Sequence, residues 1–180
     1  MLAREVRSKL GLESTPLASW RALSRALEEP RIADGRLSRS KAFNRATLLD
    51  GIVTSSEAGL PAFAFPSVSS QASRIRFCRG LAELLLAPRS DALLTTARSN
   101  RQQRGRAFAA EFLAPSAGLR ERVHLDVLDE EQVGELAFRF GVSPWVIEHQ
   151  IENHELARIK EGSRREPLST VPQAAMAVNI

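Results

Sequence analysis

The sequence predicts an α+β fold that is mostly helical, and three observations carry the prediction. Apolar residues recur at helical spacing through most of the chain, and capping residues bound these stretches. Short apolar runs flanked by turn residues occur in one place only, between Leu49 and Phe65. A length of 180 residues, 43% of them apolar and 26% charged, fits a single soluble domain that buries roughly 70% of its unfolded surface. These values exclude a disulfide-stapled miniprotein, a collagen-like fibre and a wholly disordered chain.

Leu2 to Leu10 carries helical periodicity and runs into Gly11, a suitable residue just past a helix end. A second helix is expected with Thr15 as N-cap, Pro16 in its first turn, and Leu17, Trp20, Leu23 and Leu27 along one face. A weaker third helix is expected from Ser40 to Leu49, ending at Asp50-Gly51. Ile52 to Thr54 and Leu60 to Phe65 read as strands joined by the loop Ser55 to Gly59, and Pro61 and Pro66 confine the second strand to an edge. No other part of the chain is expected to form sheet.

After the spacer Ser67 to Ser70, Ile75, Cys78, Ala82, Leu85 and Leu86 form one helical stripe that Pro88 stops. Ser99 or Asn100 caps the next helix, which carries Ala107, Phe108, Glu111 and Phe112 before Pro115. Asp129 caps a helix with Val133, Leu136, Ala137 and Phe140 inward, closed by Gly141. Ser143 and Pro144 start the last, expected to reach about Arg158. Residues 161–180 hold two prolines and no periodicity, and read as a flexible tail.

Apolar stretches stay far below the roughly 18 residues of a membrane span, and the basic N-terminus leads into no apolar core of a signal peptide. The single cysteine, Cys78, rules out an internal disulfide and a Cys-rich zinc ribbon. A cytoplasmic protein without membrane association is expected. The formal charge is +4. Lys+Arg is 25, and with lysine only at Lys9, Lys41 and Lys160 the other 22 are arginine. Such a bias fits a solvated surface or an anionic partner, nucleic acid foremost.

The run Arg104-Gly-Arg-Ala-Phe108-Ala-Ala-Glu111-Phe112-Leu113-Ala-Pro115 resembles the "A-N-x-F-A-A-E-L-L-x-P" run of the ImmA/IrrE family of zinc metallopeptidase-like proteins. Ala3 to Leu12, Leu49 to Pro66 and Arg76-Phe77 are similar to that family's opening helix, short strands and active-site helix start. Leu128 to Glu155 looks like its C-terminal helix pair. The resemblance implies a zincin-like core with a small antiparallel sheet and a C-terminal helix-turn-helix-like pair. It divides the chain into a peptidase-like core (1–115), a helical subdomain of the same unit (116–160) and the tail (161–180).

In that family H-E-x-x-H on a helix presents two imidazoles, four residues apart, to a zinc ion at about 2.0 Å. The intervening Glu serves as general base and a later acid as third ligand. The corresponding helix here reads Arg76-Phe-Cys-Arg79-Gly-Leu-Ala-Glu83-Leu-Leu-Leu86, and no histidine precedes His124. Two registers remain open. Either Arg79 and Glu83 stand at the ligand pair with Gly80 for the base, or Leu81 and Leu85 do so with Ala82. In the third-ligand region stand Gln102, Gln103 and Arg104, and no acid occurs between Asp91 and Glu111. Neither register supplies a zinc site, so no zinc cofactor and no catalytic residues are expected. A residual peptidase using His124, Glu83 or His154 is the enzymatic alternative. His149 and His154 would lie about 140° apart on a helix, which is poor geometry for shared ligation.

Arg76, Arg79, Glu83, Arg101 and Arg104 form the expected degenerate-site pocket, in which an arginine–carboxylate bridge from Arg101 or Arg104 replaces zinc as the cross-link between helices. With Arg74 and Arg106 the pocket would be cationic and could receive phosphate or carboxylate groups. The helix-turn-helix-like pair Gln132 to Asn153 offers a groove Ser143, Pro144, Trp145, Glu148, His149 and Glu152, two acids and no arginine, which suits DNA poorly. Trp145 and His149 are expected instead to dock a protein partner of the class of DNA-binding regulators. Members of that family act in prophage, mobile-element or stress circuits, where they cut or release a DNA-binding repressor, and often carry an N-terminal helix-turn-helix domain. This chain is expected to be the peptidase-like half alone, acting as a non-catalytic regulatory protein.

Overall fold

The computed structural model describes residues 2–28, 48–55, 61–65, 69–88 and 90–160. Helix α1 (Leu2–Lys9) buries Ala3, Val6 and Arg7 and ends ahead of Gly11, which adopts φ +63°. Helix α2 (Trp20–Glu28) starts later than the Thr15-Pro16 signal indicates. The reason lies in the carbonyls: Arg7 Nη2 donates to Thr15 O and Arg74 Nη1 to Leu17 O at 2.7 Å, so two buried guanidiniums take acceptors that a helical turn would use. Ser19 Oγ caps α2 instead, accepting from the Ala22 N–H at 3.1 Å. Leu17 remains in the core.

The expected third helix lies outside the described residues over 40–47, and Leu49 to Gly51 are strand, not helix end. Strand β1 (Leu49–Ser55) pairs antiparallel with β2 (Pro61–Ala64), Ile52 opposite Ala64 and Thr54 opposite Ala62. On its other side β1 pairs antiparallel with β3 (Ala92–Thr95), giving the order β2-β1-β3. The second strand is thus an edge, as its prolines require. The third was not foreseen. Its four residues, with Ala92 and Leu94 buried and Leu93 exposed, are too few to register as alternation. Residues 56–60, which hold most of the expected loop, and 66–68, which hold half of the expected spacer Ser67 to Ser70, lie outside the described residues.

Helix α3 (Ser70–Leu86) is capped by Ser69 and stops one residue before Ala87-Pro88. The expected stripe needs correction. Leu86 is exposed and Ile75 and Leu85 only half-buried, whereas Ser73, Arg74 and every residue from Phe77 to Glu83 are buried. The helix is enclosed because the sheet covers one side and α4 (Asn100–Leu113) the other. Phe77 meets Phe63 of β2 and Trp20 of α2, with ring centroids 4.7 and 5.6 Å apart. Ser99 caps α4, its Oγ accepting from the Gln102 N–H.

A short helix α5 (Ser116–Arg120) follows Pro115, which the sequence reading missed. Helix α6 (Glu130–Phe140) opens on a capping box between Asp129 and Gln132 and closes at Gly141 with φ +65°. Helix α7 (Pro144–Asn153) is shorter than expected, since Arg158–Ile159 form β5, which pairs in parallel with β4 (Val127–Leu128). One hydrophobic cluster runs from Val53, Phe63 and Phe77 through Phe112 and Leu119 to Phe140, Ile147 and Ile151. The fold is α+β and mostly helical. No described helix is long and apolar enough to cross a membrane. The tail 161–180 lies outside the described residues.

Candidate functional site

The junction of β1, β3, α3 and α4 is built around a break in strand register. Leu49 pairs with Thr95 and Gly51 with Leu94, so Asp50 is the extra residue of a bulge. Bulges redirect side chains, and the Asp50 carboxylate meets α3. Arg79 Nη1 donates to Asp50 Oδ2 at 2.6 Å and Arg76 Nη2 to Asp50 Oδ1 at 3.2 Å. The second Arg79 amino group, Nη2, donates to the Thr95 carbonyl at 2.6 Å and to Gln102 Oε1 at 2.7 Å. One guanidinium therefore joins α3 to both neighbouring strands and to α4. Its side chain is only 5% exposed, which makes these charge-assisted bonds costly to break.

Gln102 comes to this place because Ser99 starts α4 immediately after β3, leaving Gln102 in the first turn. It is 6% exposed and fully engaged: Oε1 also accepts from the Thr95 N–H at 3.1 Å, and Nε2 donates to the Leu93 carbonyl at 2.9 Å. One turn further along α3, Glu83 is buried and accepts from Arg101 Nε at 2.8 Å. Between the two, Gly80 abuts the sheet. A Cβ there would stand 2.7 Å from Val53 Cγ2 and 2.9 Å from Phe63 Cε1, so position 80 has no room for a side chain.

Of the two registers, 79 and 83 are the positions that α4 reaches through Gln102 and Arg101, whereas Leu81 is buried in the core and Leu85 is half-buried. The bridge from Arg101 is present and goes to Glu83. Arg79 and Glu83, however, each take a different partner, as the unfavourable Arg-before-Glu order implies. Arg104 is exposed and has no ion pair among the described residues. The expectation of a broadly cationic pocket is corrected. Arg74 points away, to the carbonyls of Leu17 and Gly141. Arg106 Nη2 donates to Thr96 O and Ala97 O, both at 2.9 Å, and burial followed by Arg79 lowers its pKa. Most of these arginines are spent on internal acceptors. Asp50 is the residue that sequence reasoning missed; the Asp-Gly pair before a strand was its only local signal.

A second polar cluster surrounds Glu111. Its carboxylate accepts from Arg4 Nε at 2.9 Å, Ser116 Oγ at 2.9 Å and Gln150 Nε2 at 2.8 Å, with His154 Nε2 at 3.3 Å. Burial raises the Glu111 pKa, but the bonds from Arg4, Gln150 and Ser116 outweigh it and hold the carboxyl below its ordinary value. The cluster ties α1, α4, α5 and α7 together. Nearby, Arg7 is buried under the Phe112 ring and donates to Phe112 O at 2.5 Å, and burial brings its pKa down to about 10. The Cys78 thiol, fully buried, is pushed well up by desolvation and is inert.

On the surface, Trp145 is 42% exposed and lies against exposed His149, with ring centroids 4.1 Å apart and the ring planes tilted by 37°. The pair is displayed at the start of α7. A separate open basin of about 990 Å³ lies against α6, lined by Leu125, Leu128, Leu136, Phe138, Arg122 and Arg139, and His124 is at its rim. The arrangement does not bring His124, Glu83 and His154 together: Glu83 bonds Arg101, and His154 sits by Glu111. Among the described residues no three His, Cys, Asp or Glu side chains cluster as a metal site would require.

Residues 66–152 match the family model described as the IrrE N-terminal-like domain, a span that runs from just before α3 into α7. No curated protein matches the chain.

Proposed function

Proceeding from residues 66–152 forming an ImmA/IrrE-type domain, we propose that this protein is a pseudopeptidase, a cytoplasmic regulatory protein that binds a protein partner without cutting it. The observation that carries the reading is Arg79. A guanidinium bonded to Asp50, Thr95 O and Gln102 stands at one of the two helix positions that the family resemblance leaves open for a zinc ligand, the one whose register α4 reaches. A metal does not fit this donor set, since the cation already present would repel it and the neighbouring Gly80 can neither act as a base nor be replaced by one without moving the sheet. The Arg79 and Arg101 links do the mechanical work of a metal cross-link, holding the two core helices to each other and to the sheet.

Partner recognition is assigned to the Trp145–His149 pair, because a half-exposed Trp held against an imidazole is the kind of anchor that interfaces use. A DNA-binding regulator is the partner class that the family's circuits suggest. Direct nucleic-acid binding has weaker support, because Arg74, Arg76, Arg79, Arg101 and Arg106 are engaged within the molecule. The test uses the purified chain and the purified repressor-type regulator from its own genetic neighbourhood, with zinc supplied. Complex formation by analytical ultracentrifugation with the regulator intact is expected. Cleavage of the regulator would overturn the reading.

A further inference from the structure

Strand β3 is one of the two edges of the three-stranded sheet, and an edge normally presents a row of unused backbone groups to the next strand. Leu94 lies opposite Gly51 and the Thr96 N–H bonds Leu48 O at 3.0 Å, so these residues face β1. Leu93 and Thr95 face outward, and side chains of the core helices take their polar groups. Gln102 Nε2 donates to Leu93 O and Gln102 Oε1 accepts from the Thr95 N–H, the two bonds that one residue of an added strand would make. Thr95 O accepts from Arg79 Nη2 at 2.6 Å and Arg106 Nη2 at 3.3 Å, and Arg106 continues to the carbonyls of Thr96 and Ala97.

We propose that Gln102 and Arg106 act as a built-in substitute for a fourth strand, holding the β3 edge shut against strand addition by a second copy of this chain. The inference rests on the hydrogen bonds alone and holds whether or not the pseudopeptidase reading does. The need for such a device is local. Leu93 is 55% exposed, and an exposed apolar residue on an open edge is a starting point for edge-to-edge association. Gln102 suits the task because a primary amide carries a donor and an acceptor side by side, and its burial leaves water no way to compete.

The test compares the full-length protein with a Gln102→Met/Arg106→Met variant, which keeps side-chain bulk and removes the bonds. Amide hydrogen exchange followed by NMR reads the edge, and sedimentation velocity over a concentration series reads association. In the unaltered protein the Thr95 amide is expected to be protected and the chain monomeric through this edge. In the variant, at the lowest concentration, Thr95 exchange is expected to rise about tenfold while the amides of β1 keep their protection. Concentration-dependent association should then appear and restore Thr95 protection. Should the variant not fold, Gln102→Asn, whose amide is one methylene short of β3, serves in its place. A Thr95 amide already unprotected in the unaltered protein, or a folded variant that stays monomeric at every concentration, would overturn the proposal.

Discussion

Arg79 of α3 and Asp50 of the β1 bulge meet at 2.6 Å, both largely buried, and this contact fixes α3 against the sheet. Removing Arg79 leaves the buried Asp50 carboxylate with only its longer contact to Arg76, and removing the Asp50 charge leaves the buried Arg79 guanidinium with neutral acceptors alone. Arg79→Met should therefore cost about 3 kcal/mol in urea unfolding, and Asp50→Asn a similar amount. The double variant should cost clearly less than the two together, and a strictly additive cycle would count against a direct link.

The Arg101–Glu83 bridge is of a different kind, since Arg101 is half-exposed and open to solvent screening. Glu83→Gln should lower stability by only about 0.5 to 1 kcal/mol. That difference should shrink in 1 M salt, whereas the effect of Arg79→Met should persist.

Gly80 packs on Val53 and Phe63 with no space for a Cβ. Gly80→Ala should destabilise the fold by about 1 to 3 kcal/mol despite the better helix propensity of alanine. A melting temperature at or above that of the unaltered protein would mean that α3 stands further from the sheet.

Glu111 predicts the acid limb of stability. Its carboxyl pKa is lowered on folding, so the stability it supplies is complete above the unfolded carboxylate value, about 4.3, and is lost as pH falls through the lower folded value. Chemical denaturation from pH 7 to pH 3 should show this loss, and Glu111→Gln should flatten that limb while lowering stability at neutral pH, where Arg4 and His154 lose their partner.

Much of this architecture is legible in the sequence because it is written in local signals. Ser99 and Asp129 cap their helices, Gly11 and Gly141 take the left-handed conformation, and the two strands around Val53 and Phe63 pair as their composition suggests. What escaped depends on contacts distant in sequence. The start of α2 is displaced by Arg7 and Arg74, β3 gains its identity only by pairing with β1, and α3 is buried all round because two layers enclose it. At the site, the Glu83–Arg101 bridge could be anticipated from charge and helix order. Asp50 could not, because only the bulge turns it toward Arg79.

On the proposed reading, a guanidinium network takes the place of a zinc ion between α3 and α4. Zinc content of the untagged protein by elemental analysis, after extensive dialysis without chelator, tests it most directly, with melting temperature recorded before and after chelator is added. The account predicts no stoichiometric zinc and an unchanged melting temperature. One zinc per chain, with a melting temperature that falls when the chelator removes it, would contradict the account.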